Sequence, residues 1–307
     1  MTHQRRRCAV SRKTQPQASL AHSPTADVPC VSSSWWKGCR MAAFEVAGVS
    51  FTYPNGTAAL RDVTVAAAGP AVIGLIGRNG SGKTTFARHL NGLLRPSRGH
   101  VLLDGADTAG RTTAALARTV AYAFQNPDNQ IFHRTVGEEV AFGPRNLGYP
   151  ASGVEARVAE ALEMLGLAPL RQQHPRDLVF SHRKLVALAS VVAMDTPVVV
   201  LDEPTTGQDW EGVGRIERLV RDLAVRGKLV LLITHDMDLA ARTCGRIWLF
   251  ADGRLAADGV PADVFADTAR LAAAWVEPPE IMRIARAAGI TPPPLTIEET
   301  VDRLSAG

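Results

Sequence analysis

The sequence predicts an α/β fold: a mostly parallel sheet core carrying an antiparallel β subdomain, a helical insertion and a small C-terminal helical extension. Three observations predict it. Short apolar runs of strand character alternate with 3.6-period helical segments, the pattern of parallel strands joined by crossover helices. A Gly-rich loop, Gly77-Arg78-Asn79-Gly80-Ser81-Gly82-Lys83-Thr84, lies between the apolar run Ala71–Ile76 and the helix-like Thr85–Leu90. A later apolar run, Val198–Leu201, ends in the paired acids Asp202 and Glu203.

The elements follow in order. Strand patterns occupy Phe44–Val46 and Val49–Tyr53, Pro54-Asn55-Gly56 makes a turn, and Leu60–Ala66 leads toward the Gly-rich loop. After the loop helix, His100–Gly105 reads as a hairpin strand and Thr119–Phe124 as a buried one. Between about 126 and 192 the character turns helical. Val154, Val158, Ala161, Leu162 and Leu165 form a helical stripe, and Lys184–Ala193 predicts a second helix. Strands return at Val198–Leu201 and Leu229–Ile233 with a helix, Gly212–Arg226, between them. A hairpin at Arg246–Phe250 and Gly253–Asp258 precedes Pro-marked short helices. The expected organisation is a leader at 1–40, a principal domain at 41–267 and a C-terminal extension at 268–307.

The loop matches G-x-x-x-x-G-K-[ST]. Its glycines let backbone N–H groups curl around a polyphosphate, and the helix N-terminus behind it adds partial positive charge. Lys83 is placed for the β- and γ-phosphates and the Thr84 hydroxyl for Mg²⁺. The expected nucleotide-binding residues here are Gly77, Asn79, Gly80, Ser81, Gly82, Lys83, Thr84 and Thr85. The strand ending at Asp202 delivers a carboxylate to the Mg²⁺ shell beside Thr84. Glu203 is one residue nearer the γ-phosphate, where a carboxylate can orient and deprotonate water, worth ~10²–10⁴-fold in rate.

Composition narrows the partners. The chain of 307 residues has a net charge of +4. Residues 1–40 hold seven Lys/Arg against Asp27 alone, a net of +6, which leaves 27 basic and 29 acidic residues, a net of −2, in the rest. A near-neutral body gives no reason to expect nucleic acid as a partner. The leader lacks the apolar segment of a secretory signal and is expected to be either a disordered tail or upstream sequence from a misplaced start, with Met41 the favoured true start. Three of four cysteines (Cys8, Cys30, Cys39) lie in the leader, none in a metal-ligand spacing, a usage that fits a reducing compartment. No run reaches the ~18–20 apolar residues of a membrane span; Val186–Leu201 is broken by Asp195 and Pro197.

Gly77–Thr84, Gln125 after a strand, Leu201-Asp202-Glu203-Pro204-Thr205, Asp209 and Thr234-His235-Asp236 occur in the order seen in ATP-binding-cassette (ABC) ATPases, which the chain resembles over roughly residues 44–265. The resemblance implies a RecA-like P-loop NTPase core that binds ATP and Mg²⁺. It also implies Tyr53 stacked on adenine, Gln125 contacting Mg²⁺ and water, His235 holding the γ-phosphate, and Asp209 facing an opposite subunit. The expected catalytic set is therefore Glu203, His235 and Gln125, and the expected metal set Thr84, Gln125 and Asp202. Phe124–Phe132 and Val140–Gly148, with Glu277-Pro278-Pro279-Glu280-Ile281, resemble the energy-coupling-factor and cobalt-type importer ATPases. That implies a peripheral ATPase on the cytoplasmic face of the cell membrane, working with integral membrane subunits to import a vitamin or a transition-metal ion.

One departure stands out. Where the family carries Leu-Ser-Gly-Gly-Gln, this chain has Leu178-Val179-Phe180-Ser181-His182. In the family that loop serves the nucleotide of the opposite subunit. Val179 offers no hydroxyl, and Phe180 and Ser181 put side chains where bare backbone would approach the ligand. The expectation is a heterodimer with a second cassette ATPase, with one strong and one weak site. The alternatives are a catalytically weak regulatory subunit and a soluble cassette ATPase outside transport.

Overall fold

The computed structural model describes residues 43–305; the leader expected at 1–40 and the start expected at Met41 lie outside the described residues. β1 (Ala43–Thr52) pairs antiparallel with β2 (Ala58–Ala68). The two strand segments expected around Gly48 are one continuous strand, irregular in register between Val46 and Val49. β3 (Ala71–Ile76) is buried almost throughout and runs into the Gly-rich loop, from which α1 (Lys83–Leu90) rises. β4 (Arg98–Leu103) pairs with β1 and with the short β5 (Ala106–Asp107), completing a four-stranded antiparallel sheet in the order β2-β1-β4-β5. A single helical turn, α2 (Thr113–Leu116), leads to β6 (Val120–Ala123).

The insertion contains three helices. α3 (Val136–Leu147) starts at the Thr135 cap, with Glu138 and Glu139 in its first turn, and stops at Gly148, whose φ of +87° few other residues would accept. Pro144 inside α3 hides its periodicity from a sequence reading. α4 (Ala151–Met164) buries the expected stripe of Val154, Val158, Ala161 and Leu162. α5 (Phe180–Ala193) begins four residues earlier than its apolar pattern predicts, because Val179 is extended and already accepts the Arg183 N–H at 3.0 Å. Phe180, Ser181 and His182 thus form the first turn of α5 and are not a loop ahead of it.

The chain then returns to the core with β7 (Val198–Asp202), α6 (Trp210–Val225), β8 (Leu229–Ile233), α7 (Met237–Thr243), β9 (Arg246–Ala251) and β10 (Arg254–Gly259). Four short helices follow: α8 (Pro261–Ala266), α9 (Thr268–Ala273), α10 (Glu280–Ala287) and α11 (Ile297–Ser305). The second sheet has the order β10-β9-β3-β8-β7-β6; all its pairings are parallel except β9–β10. Trp248 on β9 joins the layers, with Phe44 of β1 at 6.0 Å and Phe86 of α1 at 5.8 Å, both edge-on. Each such aromatic contributes about 1.5–3 kcal/mol on burial, which seats the antiparallel sheet beside the loop.

Strand order positions the site. β8 lies between β3 and β7, and Asp202 is in register with Ile233. The three strands therefore end together. Their first residues past the sheet, Gly77, Glu203 and Thr234, share the carboxyl edge, where parallel sheets bind ligands.

Candidate functional site

The Gly-rich loop is shaped by steric exclusion. Gly77 has φ +142°, and a Cβ there would lie 2.2 Å from the Phe250 carbonyl oxygen. Gly82 caps α1 in a left-handed conformation. Only glycine meets both conditions. The Lys83 amine, almost fully buried, donates to the carbonyls of Gly77 at 2.7 Å and Arg78 at 3.0 Å. Burial lowers the Lys83 pKa, and the neighbouring charges of Glu203 and Asp202 oppose that shift. The Ser81 hydroxyl is buried with no hydrogen-bond partner among the described residues, an orphan donor inside a curl of backbone that suits a phosphate oxygen. Gly80 (φ +79°) and the exposed Asn79 complete the loop.

The acids meet it from β7. The Thr84 hydroxyl donates to Asp202 Oδ1 at 3.2 Å, and Tyr122 of β6 donates to Asp202 Oδ2 at 2.6 Å. Burial, followed by the Asp202 charge, raises the Tyr122 pKa, so the phenol stays a donor. Glu203 takes a left-handed backbone, φ +50°, anchored by its N–H to the Ile233 carbonyl at 2.9 Å. Its buried carboxylate lies 2.5 Å from Nδ1 of His235, whose ring is mostly exposed. Tyr53 reaches the same place: its hydroxyl is 3.0 Å from Thr85 Oγ1, and its ring stands edge-on to Phe51. Beside the loop, a cavity of about 640 Å³ is lined by Gly77, Asn79, His235, Asp238, Trp275 and Glu277.

The structure thus brings together Tyr53, the residues from Gly77 to Thr85, Asp202, Glu203 and His235. Gln125 follows β6 with an exposed side chain, and its carbonyl accepts from Lys184 of α5. The remaining expected residues form a second cluster with other neighbours. Val179 is exposed at the start of α5, the Phe180 ring crowds Gly207, and Gln208 Nε2 donates to the Ser181 carbonyl at 2.9 Å. His182 lies in the same turn, and Asp209 caps α6 by accepting the Gly212 N–H at 2.7 Å. The sequence reading missed Tyr122 and Lys184. A phenol in a buried strand needs a polar partner, and so does a lysine at the head of the apolar run Leu185–Ala189; those were the available signals.

Strand, phosphate loop, helix and a strand-end acid pair define a P-loop NTPase cassette. Comparisons give the family. The ABC transporter family profile matches residues 60–206. The chain is 38% identical over 246 residues to the energy-coupling factor transporter ATP-binding protein EcfA of Methanocaldococcus jannaschii, covering 80% of this chain and 88% of that protein. A longer relative from Methanosarcina acetivorans is 41% identical over 235 residues, 76% of this chain, and the chain spans only 38% of its length. Among solved structures, cbiO1 of Clostridium perfringens, described as part of the ABC transporter complex cbiONQ, aligns with a TM-score of 0.67 at 31% identity, covering 80% of this chain and 94% of that one. The chain belongs to the ATP-binding subunits of ABC transporters, ATPases coupled to transport. Cassettes of this family bind ATP, dimerise and work with membrane components.

Proposed function

We propose that this chain is the motor subunit of an energy-coupling-factor-type importer that energises uptake of a vitamin or a transition-metal ion. The observation that carries the reading is the convergence of Lys83, Thr84, Asp202, Glu203 and His235 at one sheet edge. In this reading Lys83 and the loop N–H groups hold the β- and γ-phosphates, and the adenine stacks on Tyr53. Glu203 accepts the proton of the attacking water, and His235 orients Glu203 and contacts the γ-phosphate.

Mg²⁺ fits the donor set, because Thr84 Oγ1 and Asp202 Oδ1 are adjacent hard oxygens. Thr84, Asp202 and Gln125 would hold it, and it would supply charge neutralisation between the phosphates.

The subfamily assignment draws on the segment from Phe124 to Gly148 and on the EcfA and cbiO1 likenesses. In that segment Phe132 and Phe142 meet edge-on at 4.8 Å and are exposed, while buried Glu139 accepts the N–H groups of Phe132 and His133. This aromatic step is offered as the face toward a membrane subunit. Among the described residues no helix is long and apolar enough to cross a membrane, so separate integral subunits and a peripheral position on the cytoplasmic face belong to the proposal. So do a heterodimer with a cassette of intact signature and a dimerisation role for 268–307.

The test is affinity purification of the chain from native membranes, as wild type and as Glu203→Gln. A second cassette ATPase with integral membrane partners, and an ATP-trapped complex without turnover for Glu203→Gln, are expected. Unchanged hydrolysis by Glu203→Gln would remove Glu203 from the role of base. Recovery with ribosomal or DNA-bound proteins would overturn the importer reading.

A further inference from the structure

The segment after β6 carries Gln125 and then Asn126–Ile131, which turn through a short 3₁₀ helix, Pro127–Asn129. Three side-chain links tie this turn to α5. On the inside, Lys184, 1% exposed, donates its ammonium to the Gln125 carbonyl. On the outside, the Arg183 guanidinium pairs with Asp128 at 3.1 Å and donates to the Leu178 carbonyl at 2.8 Å. Along the helix, Gln130 accepts the Phe124 N–H at 3.0 Å and donates to the Ala187 carbonyl and Ser190 Oγ, both at 2.8 Å.

A buried ammonium is costly unless paired and hydrogen-bonded. Its single hydrogen-bond partner among the described residues is the Gln125 carbonyl, while the Asp202 and Glu203 carboxylates act on it through space. Gln130 ties the turn to α5 and holds the Phe124 N–H, and Arg183 is partly exposed, so its ion pair is weak. Of the three, Lys184 is the side chain that bonds Gln125 itself.

We infer that Lys184 is a positioning residue: by holding the Gln125 backbone to the first turns of α5, it sets where the Gln125 side chain sits relative to Asp202 and Glu203. The inference rests on the catalytic role given to Gln125 above. Because, among the described residues, Lys184 makes no hydrogen bond to the phosphate loop and does not line the cavity beside it, its loss should act on turnover more than on ATP affinity. The link also joins α5, capped at Val179, to the turn that leads to Phe132.

The test compares wild type, Lys184→Met and Lys184→Arg in the full chain. Met keeps an unbranched chain as far as Cε and removes both donor and charge; Arg keeps both. In the chain purified with its membrane partners, Lys184→Met is expected to lower kcat about 10–100-fold with the KM for ATP within about threefold, as for loss of an interaction made only in the transition state. Lys184→Arg is expected to recover at least about a third of wild-type kcat. In the chain alone, amide exchange at 125–130 is expected to rise at least about tenfold for Lys184→Met and stay near wild type for Lys184→Arg. Unchanged exchange at 125–130 would overturn the clamp. Faster exchange with unchanged kcat, or with a loss confined to KM, would overturn the positioning role. If the purified complex hydrolyses no ATP even as wild type, the ATPase reading fails, and the exchange measurement still decides the clamp. A Lys184→Met chain that does not fold, with Lys184→Arg folded but unprotected at 125–130, also overturns the inference.

Discussion

Tyr122 donates its phenolic proton to Asp202 at 2.6 Å, so the acid at the end of one buried strand is held by the neighbouring strand. Thr84 occupies the other carboxylate oxygen at 3.2 Å. The two hydroxyls set the plane of a side chain that is 1% exposed and could otherwise rotate about its last bond.

Tyr122→Phe should therefore weaken the site without changing its outline. A hydrogen bond to a charged group is worth about 1.5–3 kcal/mol. The expected outcome is a shift of the Mg²⁺ concentration for half-maximal ATPase activity by about tenfold or more, with denaturation midpoints lowered to match. Mg²⁺ titrations and urea melts check this; an unchanged Mg²⁺ requirement would show that Thr84 alone suffices.

The altered signature makes a second prediction. Val179 and Phe180 are exposed, and among the described residues no side chain caps the first N–H groups of α5, which have no intrahelical partners. On the heterodimer proposed above, replacing Val179, Phe180, Ser181 and His182 by Ser, Gly, Gly and Gln should raise hydrolysis in the purified complex about twofold, as the proposed partner's site would gain what it lacks. Two new glycines in the helix start, and the lost Phe180 packing on Gly207, should cost about 1–2 kcal/mol of stability. If steady-state ATPase does not rise, the backbone N–H groups of α5 already serve.

A pH dependence follows from Cys244. Its thiol is buried against Gly74, and burial pushes its pKa up to about 12 from a value of 9.0. The folded state keeps a proton that the unfolded chain releases. This stabilisation is whole below pH 9 and is lost as pH rises toward 12. At pH 10.5 wild type should have lost about 2 kcal/mol relative to Cys244→Ala. Urea melts of both chains at pH 8 and 10.5 measure it, and parallel pH curves would refute it.

Most of the architecture was legible in the chain because the groups proposed to face the nucleotide sit at strand ends. A Gly-rich loop after β3, acids at the end of β7 and a histidine after β8 are each announced by the apolar run before them. Local signals misplaced the start of α5, because apolar periodicity begins at Lys184 while helical hydrogen bonding begins at Val179. They also passed over α3, whose pattern Pro144 interrupts.

By itself the sequence determined the α/β class and the phosphate-loop motif with Lys83 and Thr84, and it singled out Asp202 and Glu203 as candidates by residue type and short-range spacing, while His235 was a candidate through the family resemblance. Only the tertiary structure decided that Tyr122 holds Asp202, that Lys184 holds Gln125 and that His235 meets Glu203. Those pairs are separated by 80, 59 and 32 residues. They become neighbours through the non-sequential strand order and the packing of α5 on the turn after β6. A hydrogen bond acts over about 3 Å of space whatever the distance along the chain, so spacing in the sequence carries no trace of it.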